Sequence, residues 1–339
     1  MKKILFLSKG EFSASTRYRA VQFFAGLSRR GCESAHLQIS GGLSNYLAAL
    51  KAAGDAEIVV VLRRVLPQPI RWLLRRRART LIFDFDDAIF CNSDGSPSKT
   101  RMRRFREMVL MSDHVTAGNA FLASVAAQFN DNVTVVPTSV DVTRYKVECE
   151  QPTDSFDLVW IGSSSTRKYL ADALPGLREA YKALPNMRLK IIADFDLPDA
   201  GIPTLAIRWS AETEARELAS SHVGIAPMRD NDWTRGKCAL KVIQYMAAGL
   251  PVIASPAGMN GEIVKNGENG LLAAGLHDWA DAIALYARDP ALRSQHGGVG
   301  QKTAVTNYSI ESTLEKLANV FDQVTADFPG HSARRLRKT

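Results

Sequence analysis

Two lysines and a glutamine recur at helical spacing in RGKCALKVIQYMAAGLPVIAS, residues 235–255. The pattern predicts a helix over residues 237–248, ended by the glycine and the proline that follow. On that helix Lys237, Lys241 and Gln244 lie at i, i+4 and i+7, on one face. A lysine in the first turn opposes the helix dipole by about 0.3–1 kcal/mol, so an anion is expected nearby. The spacing therefore predicts a pyrophosphate site, with a solvated basic face as the alternative.

Three carboxylates follow an apolar strand in LIFDFDDAIF, residues 81–90. They are Asp84, Asp86 and Asp87, and carboxylates clustered at the carboxyl edge of a strand are costly without a partner. Haloacid-dehalogenase phosphatases carry a similar Asp-x-Asp, but there it usually opens the core sheet, whereas here it ends a fourth strand. Pairing with nearby arginines is the structural alternative. The motif therefore predicts either a reaction site or a buried cluster of ion pairs.

Short β-branched runs alternate with amphipathic stretches, which is typical of parallel α/β sheets. The runs in the first half are ILFL, AHLQI, EIVVVL, TLIFDF, HVTAG and NVTVVPT. After the polar residues 146–155 the pattern restarts with FDLVWIGSSS, RLKIIAD, TLAIRW, HVGIAPM, LPVIAS and NGLLA. We predict two doubly wound α/β domains, residues 1–150 and 151–308. An amphipathic helix over residues 309–328 and a basic tail over residues 329–339 follow.

Composition places the chain among globular proteins, with 339 residues, 46% hydrophobic and 23% charged. Its four cysteines show no CxxC or Cys/His spacing, which predicts reduced thiols rather than disulfides or zinc. The opening apolar run, residues 4–7, is too short for a signal peptide. No run approaches the roughly 18 apolar residues of a membrane span. We therefore expect a cytoplasmic protein that is not integral to a membrane.

The net charge of +8 is unevenly distributed. Residues 1–150 contain 22 Lys and Arg against 14 Asp and Glu, whereas the remainder contains 21 of each. This asymmetry predicts an anionic partner for the first half, namely nucleic acid, an acidic membrane or a phosphorylated substrate. The helix predicted in PQPIRWLLRRRART, residues 67–80, carries five arginines. It either lies on an anionic membrane or packs normally with a solvated basic face.

Residues 224–273, GIAPMRDNDWTRGKCALKVIQYMAAGLPVIASPAGMNGEIVKNGENGLLA, resemble the donor-binding region of glycosyltransferase family 4. NVTVVPTSVDVTRY is similar to the end of that family's first domain, and LVWIGSSS to the first strand of its second. The family signature is two glutamates separated by seven residues, and it aligns with Gly236 and Gln244, so both carboxylates are absent. We interpret the pattern RGKxxxKxxQYMA as a subfamily variation.

The resemblance implies a retaining glycosyltransferase, of the hexosyltransferase type, that uses a nucleotide-diphosphate sugar. It implies that Asp86 and Asp87 orient or deprotonate the acceptor hydroxyl. The residues implied for the donor diphosphate are Lys237, Lys241, Arg17, Arg19, Ser163 and Ser164. Those implied for the nucleoside are Gln244, Trp209 and Ser210. The loop implied for the donor sugar contains Gly258, Met259 and Asn260.

The family fold, GT-B, implies two Rossmann-like domains that face each other across a cleft, with the last helix crossing back to the first domain. No metal or other cofactor is expected, because lysine, arginine and helix N–H groups stabilise the departing diphosphate. The expected partners are a nucleotide-sugar donor and a glycan or polyprenyl-linked (lipid-linked) acceptor. Peripheral attachment to the anionic inner face of the cell membrane is a further expectation.

Two other functions remain open from the sequence. A catalytically silent GT-B protein that binds a sugar nucleotide or a partner would account for the two missing carboxylates. A nucleic-acid binder would account for the arginines of the first half. The chain has neither interleaved aromatic residues nor a recognition-helix signature, so we expect no nucleic-acid partner.

Overall fold

The computed structural model describes residues 1–10 and 13–326. Contacts divide the chain into two compact units. Unit 1 comprises Met1–Thr138, Gly236–Cys238 and the segment that begins at Ile310, and unit 2 comprises Ser139–Arg235 and Ala239–Ser309. The predicted basic tail, residues 329–339, lies outside the described residues. Within the described ranges, no helix is long and apolar enough to span a bilayer.

Unit 1 is built on a parallel sheet of six strands in the order β2-β1-β3-β4-β5-β6. Its elements are β1 (Lys2–Ser8), α1 (Ala14–Arg19), α2 (Phe24–Arg29), β2 (Cys32–Gln38), α3 (Leu43–Asp55), β3 (Ile58–Leu62), α4 (Gln68–Arg77), β4 (Thr80–Phe85), α5 (Lys99–Met111), β5 (His114–Ala117), α6 (Ala120–Ala127) and β6 (Val133–Val135). β3 and β4 are buried along their whole length, as expected for central parallel strands. The strand order reverses between β1 and β3, where α/β sheets bind ligands at the carboxyl ends of their strands.

Unit 2 repeats this architecture with the strand order β12-β11-β10-β7-β8-β9. Its elements are β7 (Phe156–Ile161), α7 (Arg167–Ala183), β8 (Met187–Ala193), β9 (Thr204–Arg208), α8 (Glu214–Ala219), β10 (Val223–Ala226), α9 (Asp232–Arg235), α10 (Leu240–Ala247), β11 (Val252–Ala254), α11 (Met259–Ile263), β12 (Gly270–Leu272), α12 (Leu276–Arg288) and α13 (Pro290–Tyr308). The order reverses between β7 and β10. The prediction of two doubly wound parallel domains is confirmed.

The last described helix, α14 (Ile310–Ala326), belongs to unit 1. Its apolar stripe packs into the unit 1 core, where Leu314, Leu317 and Phe321 join residues of β1 and α2. The Phe321 and Phe6 rings meet edge to face with centroids 6.3 Å apart. The amphipathic helix predicted from its spacing of apolar residues is therefore confirmed.

The predicted start of the lysine-bearing helix is wrong, because α10 begins at Leu240 and not at Lys237. Ala239 before it adopts a left-handed conformation, with φ of 49°. Contacts within unit 1 hold the preceding segment out of the helix: the Asn119 side chain donates to the Lys237 carbonyl at 3.1 Å, and the Cys238 thiol donates to the Asp86 carbonyl at 3.4 Å. Lys237 therefore does not share a helix face with Lys241.

Candidate active site

The carboxyl edge of the unit 1 sheet contains a buried ion pair between Arg19 and Asp84. Arg19 Nε and NH2 donate to the two Asp84 oxygens at 3.0 and 2.5 Å, and NH1 donates to the Val136 carbonyl at 2.5 Å. Thr116 Oγ1 donates to Asp84 at 2.7 Å. Burial lowers the pKa of Arg19, but the charge and hydrogen bonds of Asp84 outweigh it, so the net shift is upward. The guanidinium predicted to meet a phosphate is thus bound to a core carboxylate.

The other two aspartates of the motif contact cations at the same edge. Arg63 Nε lies 3.3 Å from Asp86 Oδ1, and Arg63 NH2 is bonded to Asp87 Oδ2. Lys237 Nζ lies 2.7 Å from Asp87 Oδ1. Burial lowers the Arg63 pKa, and the charges of Asp86 and Asp87 raise it to a net upward shift. Arg63 has φ of 52°, a left-handed conformation that costs a side-chain-bearing residue energy and is common at functional sites.

This cluster changes the roles predicted for two positions. The anion beside Lys237 is the Asp87 carboxylate, which already supplies the negative charge expected near that lysine. A Cβ atom at position 236 would lie 2.7 Å from the Ala88 nitrogen, so the glutamate of the family signature has no room there. Arg17 is exposed on α1, with its guanidinium 4.9 Å from the Tyr18 ring centre.

In unit 2, Lys241 reaches the loop after β7, at the reversal of strand order. Its Nζ lies 3.9 Å from the centre of the Trp160 ring and 3.3 Å from Thr166 Oγ1. A Cβ at Gly162 would lie 2.6 Å from the Trp160 ring and 2.8 Å from Lys241 Nζ, so only glycine fits there. The structure therefore places Lys241 beside the loop that contains Ser163 and Ser164, the serine loop.

The two predicted serines of that loop, Ser163 and Ser164, are already hydrogen-bonded. Ser163 forms a capping box with Thr166. Ser164 donates to Asp194 from both its backbone N–H and its hydroxyl, each at 2.8 Å. These bonds lower the Asp194 pKa, the side-chain bond contributing most. Asp194 thus places a carboxylate where backbone N–H groups would bind a phosphate.

Two of the three residues predicted for the nucleoside, Trp209 and Gln244, meet at one buried carboxylate, Glu214, which was not predicted from the sequence. Glu214 accepts hydrogen bonds from Tyr145 OH at 2.5 Å, from Trp209 Nε1 at 2.5 Å and from Gln244 Nε2 at 2.9 Å. Ser210 is apart from this network, with its hydroxyl 3.0 Å from Thr213 Oγ1. No sequence signal marks Glu214, because it lies among other acidic residues in AETEAREL.

The predicted donor-sugar loop opens α11. Gly258 has φ of 49°, and a Cβ there would lie 2.9 Å from the Arg235 Cα. Met259 is buried, and the buried Asn260 side chain donates to the Ala226 carbonyl at 3.2 Å. A cavity of about 410 Å³ opens beside the preceding turn, and its lining includes the exposed pair Arg229 and Asp172 but none of the predicted site residues.

Metal-ligating side chains do not converge in the part of the chain that the structure describes. No group of three or more His, Cys, Asp or Glu residues there could hold an ion. The four cysteines, all of which are described, form no disulfide. Burial, followed by the charge of Asp86, raises the pKa of the Cys238 thiol, which makes it unreactive.

A comparison with the sequence profiles of protein families finds a match that lies mostly in the second half of the chain. The sequence profile of the family described as Glycosyl transferases group 1 matches residues 155–289. This segment is a glycosyl transferases group 1 domain. It contains Lys241, the serine loop, Glu214 and Gln244.

A curated relative matches part of the chain. The lipopolysaccharide core biosynthesis mannosyltransferase LpcC of Rhizobium leguminosarum bv. viciae is 30% identical over 105 residues, covering 30% of this chain and 28% of that protein. The chain thus aligns with less than a third of the length of the curated relatives it matches.

Solved structures match over nearly the whole chain. A sucrose-phosphate synthase from Thermosynechococcus elongatus superposes with a TM-score of 0.78 at 15% identity, covering 96% of this chain and all of that one. HepE from Anabaena, solved in complex with UDP, gives a TM-score of 0.73 at 15% identity, with 95% and 100% coverage. The two Rossmann-like units, of which unit 2 contains the group 1 domain, therefore match the GT-B fold of glycosyltransferases.

Proposed function

We propose that this chain is a retaining glycosyltransferase that moves a sugar from a nucleotide-diphosphate sugar to a cell-surface glycan or lipid-linked acceptor. The observation that carries the proposal is Lys241, held over the Trp160 ring and beside Thr166 at the strand-order reversal of a group 1 domain. HepE, which has a similar fold, was solved with UDP. Unit 2 is the proposed donor domain, and unit 1 the proposed acceptor domain.

The donor diphosphate is proposed to bind at Lys241 and the serine loop. Charge that develops on a departing diphosphate is stabilised by a fixed ammonium group and by N–H groups already oriented toward it. Ser164 supplies such groups once the diphosphate takes the place of the Asp194 carboxylate, and Ser163, whose N–H donates to Thr166 Oγ1, lies next to it. No metal is needed in this scheme. Arg19 is left out of it because Asp84 and the Val136 carbonyl hold its guanidinium.

Of the two proposed acceptor-side carboxylates, Asp86 is the better placed. Asp87 contacts a cation on each oxygen, whereas Asp86 contacts Arg63 through one oxygen at 3.3 Å. A group that orients or deprotonates a hydroxyl needs a free acceptor site. In an active enzyme, Asp86→Asn should therefore lower turnover by at least about 10²-fold while nucleotide binding persists. Unchanged turnover would remove Asp86 from the mechanism.

The excess positive charge of unit 1 supports an acceptor at an anionic membrane. On α4, Trp72 is 53% exposed and Leu73 is 38% exposed, and Arg76 stacks 3.9 Å from the Trp72 ring centre. Aromatic and basic side chains together favour the boundary of an acidic bilayer. The wild-type protein should sediment with anionic vesicles, and the Trp72→Ala variant should not. Equal sedimentation with neutral and anionic vesicles would contradict membrane recognition by charge.

A second function is supported by a specific observation. Gly236 is packed against Ala88, and Asp87 is bonded to Arg63 and Lys237, so no carboxylate stands at the first position of the family signature and one predicted catalytic group is paired. A catalytically silent protein that binds a sugar nucleotide fits these facts. The silent protein would be excluded if the chain released the nucleoside diphosphate from a nucleotide sugar and Lys241→Ala abolished that release.

The donor site is tested by thermal melting with UDP, GDP, ADP, CDP and TDP. At about 100 times the dissociation constant, a ligand stabilises the fold by about 2.7 kcal/mol, so one nucleotide should raise the melting temperature. Lys241→Ala should abolish that shift. The matched control is Lys182→Ala, which changes a lysine exposed on α7. A shift that survives in Lys241→Ala, or the absence of any shift in the wild type, would contradict the proposed donor site.

A further inference from the structure

The side-chain amide of Gln244 uses both of its hydrogens inside unit 2. Nε2 donates to Glu214 Oε1 at 2.9 Å and to Tyr145 OH at 3.2 Å. Gln244 and Glu214 are each 4% exposed, so these bonds form in a buried setting where unmet polar groups are costly. The Gln244 oxygen takes part in neither bond. Within the described ranges it accepts no hydrogen bond from another residue.

The Glu214 carboxylate decides which end of the amide points where. An ionised carboxylate only accepts hydrogen bonds, so it attracts the NH2 group of Gln244 and repels its oxygen. Turning the amide round would place two acceptors against each other in the interior. Glu214 also accepts a hydrogen bond from Trp209 Nε1. This bond anchors the indole ring of Trp209, a residue that is 38% exposed.

We propose that Glu214 is a positioning residue that makes Gln244 present an oxygen acceptor, and Trp209 an exposed ring face, to the nucleoside of the donor. The inference rests on the proposed function of unit 2 as the nucleotide-binding half. The ligand group that meets Gln244 must then donate a hydrogen bond, and a ribose hydroxyl is such a donor. A nucleotide without that hydroxyl leaves the acceptor unmatched.

Glu214 and Gln244 form a pair of one acid and one amide. A glutamate at position 244, as in the family signature, would set two carboxylates about as close as the present 2.9 Å contact. Two buried like charges at such a distance cannot both stay ionised. The carboxylate at position 214 therefore accounts for the amide at position 244. Exchanging the two residues should keep the pair intact.

Four chains test this pair: the wild type, Glu214→Gln, Gln244→Glu and the double exchange. In Glu214→Gln the new amide has a single oxygen, so it can accept from Gln244 and Tyr145 or from Trp209 but not from both, and its NH2 group meets the donor that is left. In Gln244→Glu two carboxylates meet. In the double exchange the new amide at position 214 donates to the new carboxylate at position 244, which again presents an oxygen. Glu179→Gln, on the exposed surface of α7, is the matched control.

The dissociation constant of the nucleoside diphosphate is measured by calorimetry, and the melting temperature is measured without ligand. Glu214→Gln should weaken binding about tenfold, which corresponds to about 1.4 kcal/mol, while the fold persists. Gln244→Glu should lower the melting temperature at pH 7 and recover part of it at lower pH, where one carboxyl group is protonated. The double exchange should bind within about threefold of the wild type. The difference in dissociation constant between the wild type and Glu214→Gln should be smaller for the 2′- and 3′-deoxy nucleotides than for the ribonucleotide.

Each failure points to a different conclusion. If the wild type binds a diphosphate and Glu214→Gln binds it equally well, the positioning role is overturned while the donor site stands. If the double exchange is no better than Glu214→Gln, the residues act through stability alone and the proposal is overturned. If the wild type binds no nucleotide, the proposed function fails and the nucleoside role of Glu214 fails with it.

Discussion

Asp84 in unit 1 and Glu214 in unit 2 are equally buried carboxylates with opposite surroundings. Asp84 is 3% exposed and meets the guanidinium of Arg19 with two hydrogen bonds. Glu214 is 4% exposed and is held by three neutral donors. The charge of Asp84 is therefore balanced by a cation within the same unit, and removing that cation would be costly. The three neutral donors around Glu214 are instead each oriented toward its oxygens.

The largest effect is expected from removing the cation beside Asp84. Arg19→Met should lower the free energy of unfolding by about 3–5 kcal/mol, because it leaves a buried charge uncompensated. Urea denaturation followed by circular dichroism measures the loss. Arg17→Met, on the exposed face of the same helix, should change stability by less than about 0.5 kcal/mol. Similar values for the two variants would show that the Asp84 pair is worth no more than a surface contact.

A smaller loss is expected when Glu214 loses one of its three donors. Tyr145→Phe should cost about 1–3 kcal/mol, because one hydrogen of the Gln244 amide and one acceptor site of the carboxylate lose their partner while two donors remain. The same denaturation assay applies, with Tyr181→Phe as the control on α7. A loss as large as that of Arg19→Met would mean that a single neutral donor compensates a buried charge as well as a cation does.

The smallest difference is expected between the two units in mild acid. Burial lowers the pKa of His114 in unit 1 and of His222 and His296 in unit 2. Unfolded histidine titrates near about 6.5, so below that pH the unfolded chain binds protons that the folded chain does not. The contribution of these histidines to stability is thus complete above a pH of about 6.5 and falls as the pH decreases.

Hydrogen exchange read by mass spectrometry at pH 7 and pH 5.5, corrected for intrinsic rates, separates the two units. Peptides from unit 2 should lose more protection than peptides from unit 1, because unit 2 contains two of the three histidines. His277→Asn is the control, since His277 lies in an exposed part of α12. Greater loss in unit 1 would show that another group controls the response to acid.

Much of the fold could be predicted because its signals are local. Each β-branched run became a strand, and the repeat of apolar residues from Ile310 to Val324 became α14. Periodicity in sequence reports burial on one face of an element, which needs no knowledge of distant neighbours.

The site departs from prediction where a distant residue decides the contact. Lys237 has helical spacing, yet Asn119, Asp86 and Asp87 hold its segment outside the helix. Arg63 was not predicted as a site residue, although it directly follows the apolar run that forms β3. The structure places β3 at the reversal of strand order. Asp194 was not among the predicted site residues, yet it accepts two hydrogen bonds from Ser164 of the serine loop.

The sequence by itself determined the alternation of strands and helices, the two parallel domains and the resemblance that indicated a sugar donor. Only the tertiary structure decided which charges meet: Arg19 with Asp84, Lys237 with Asp87, and Glu214 with neutral donors. The reason is physical. Backbone pattern depends on neighbours along the chain, whereas the partner of a buried charge is chosen by desolvation and geometry among residues far apart in sequence.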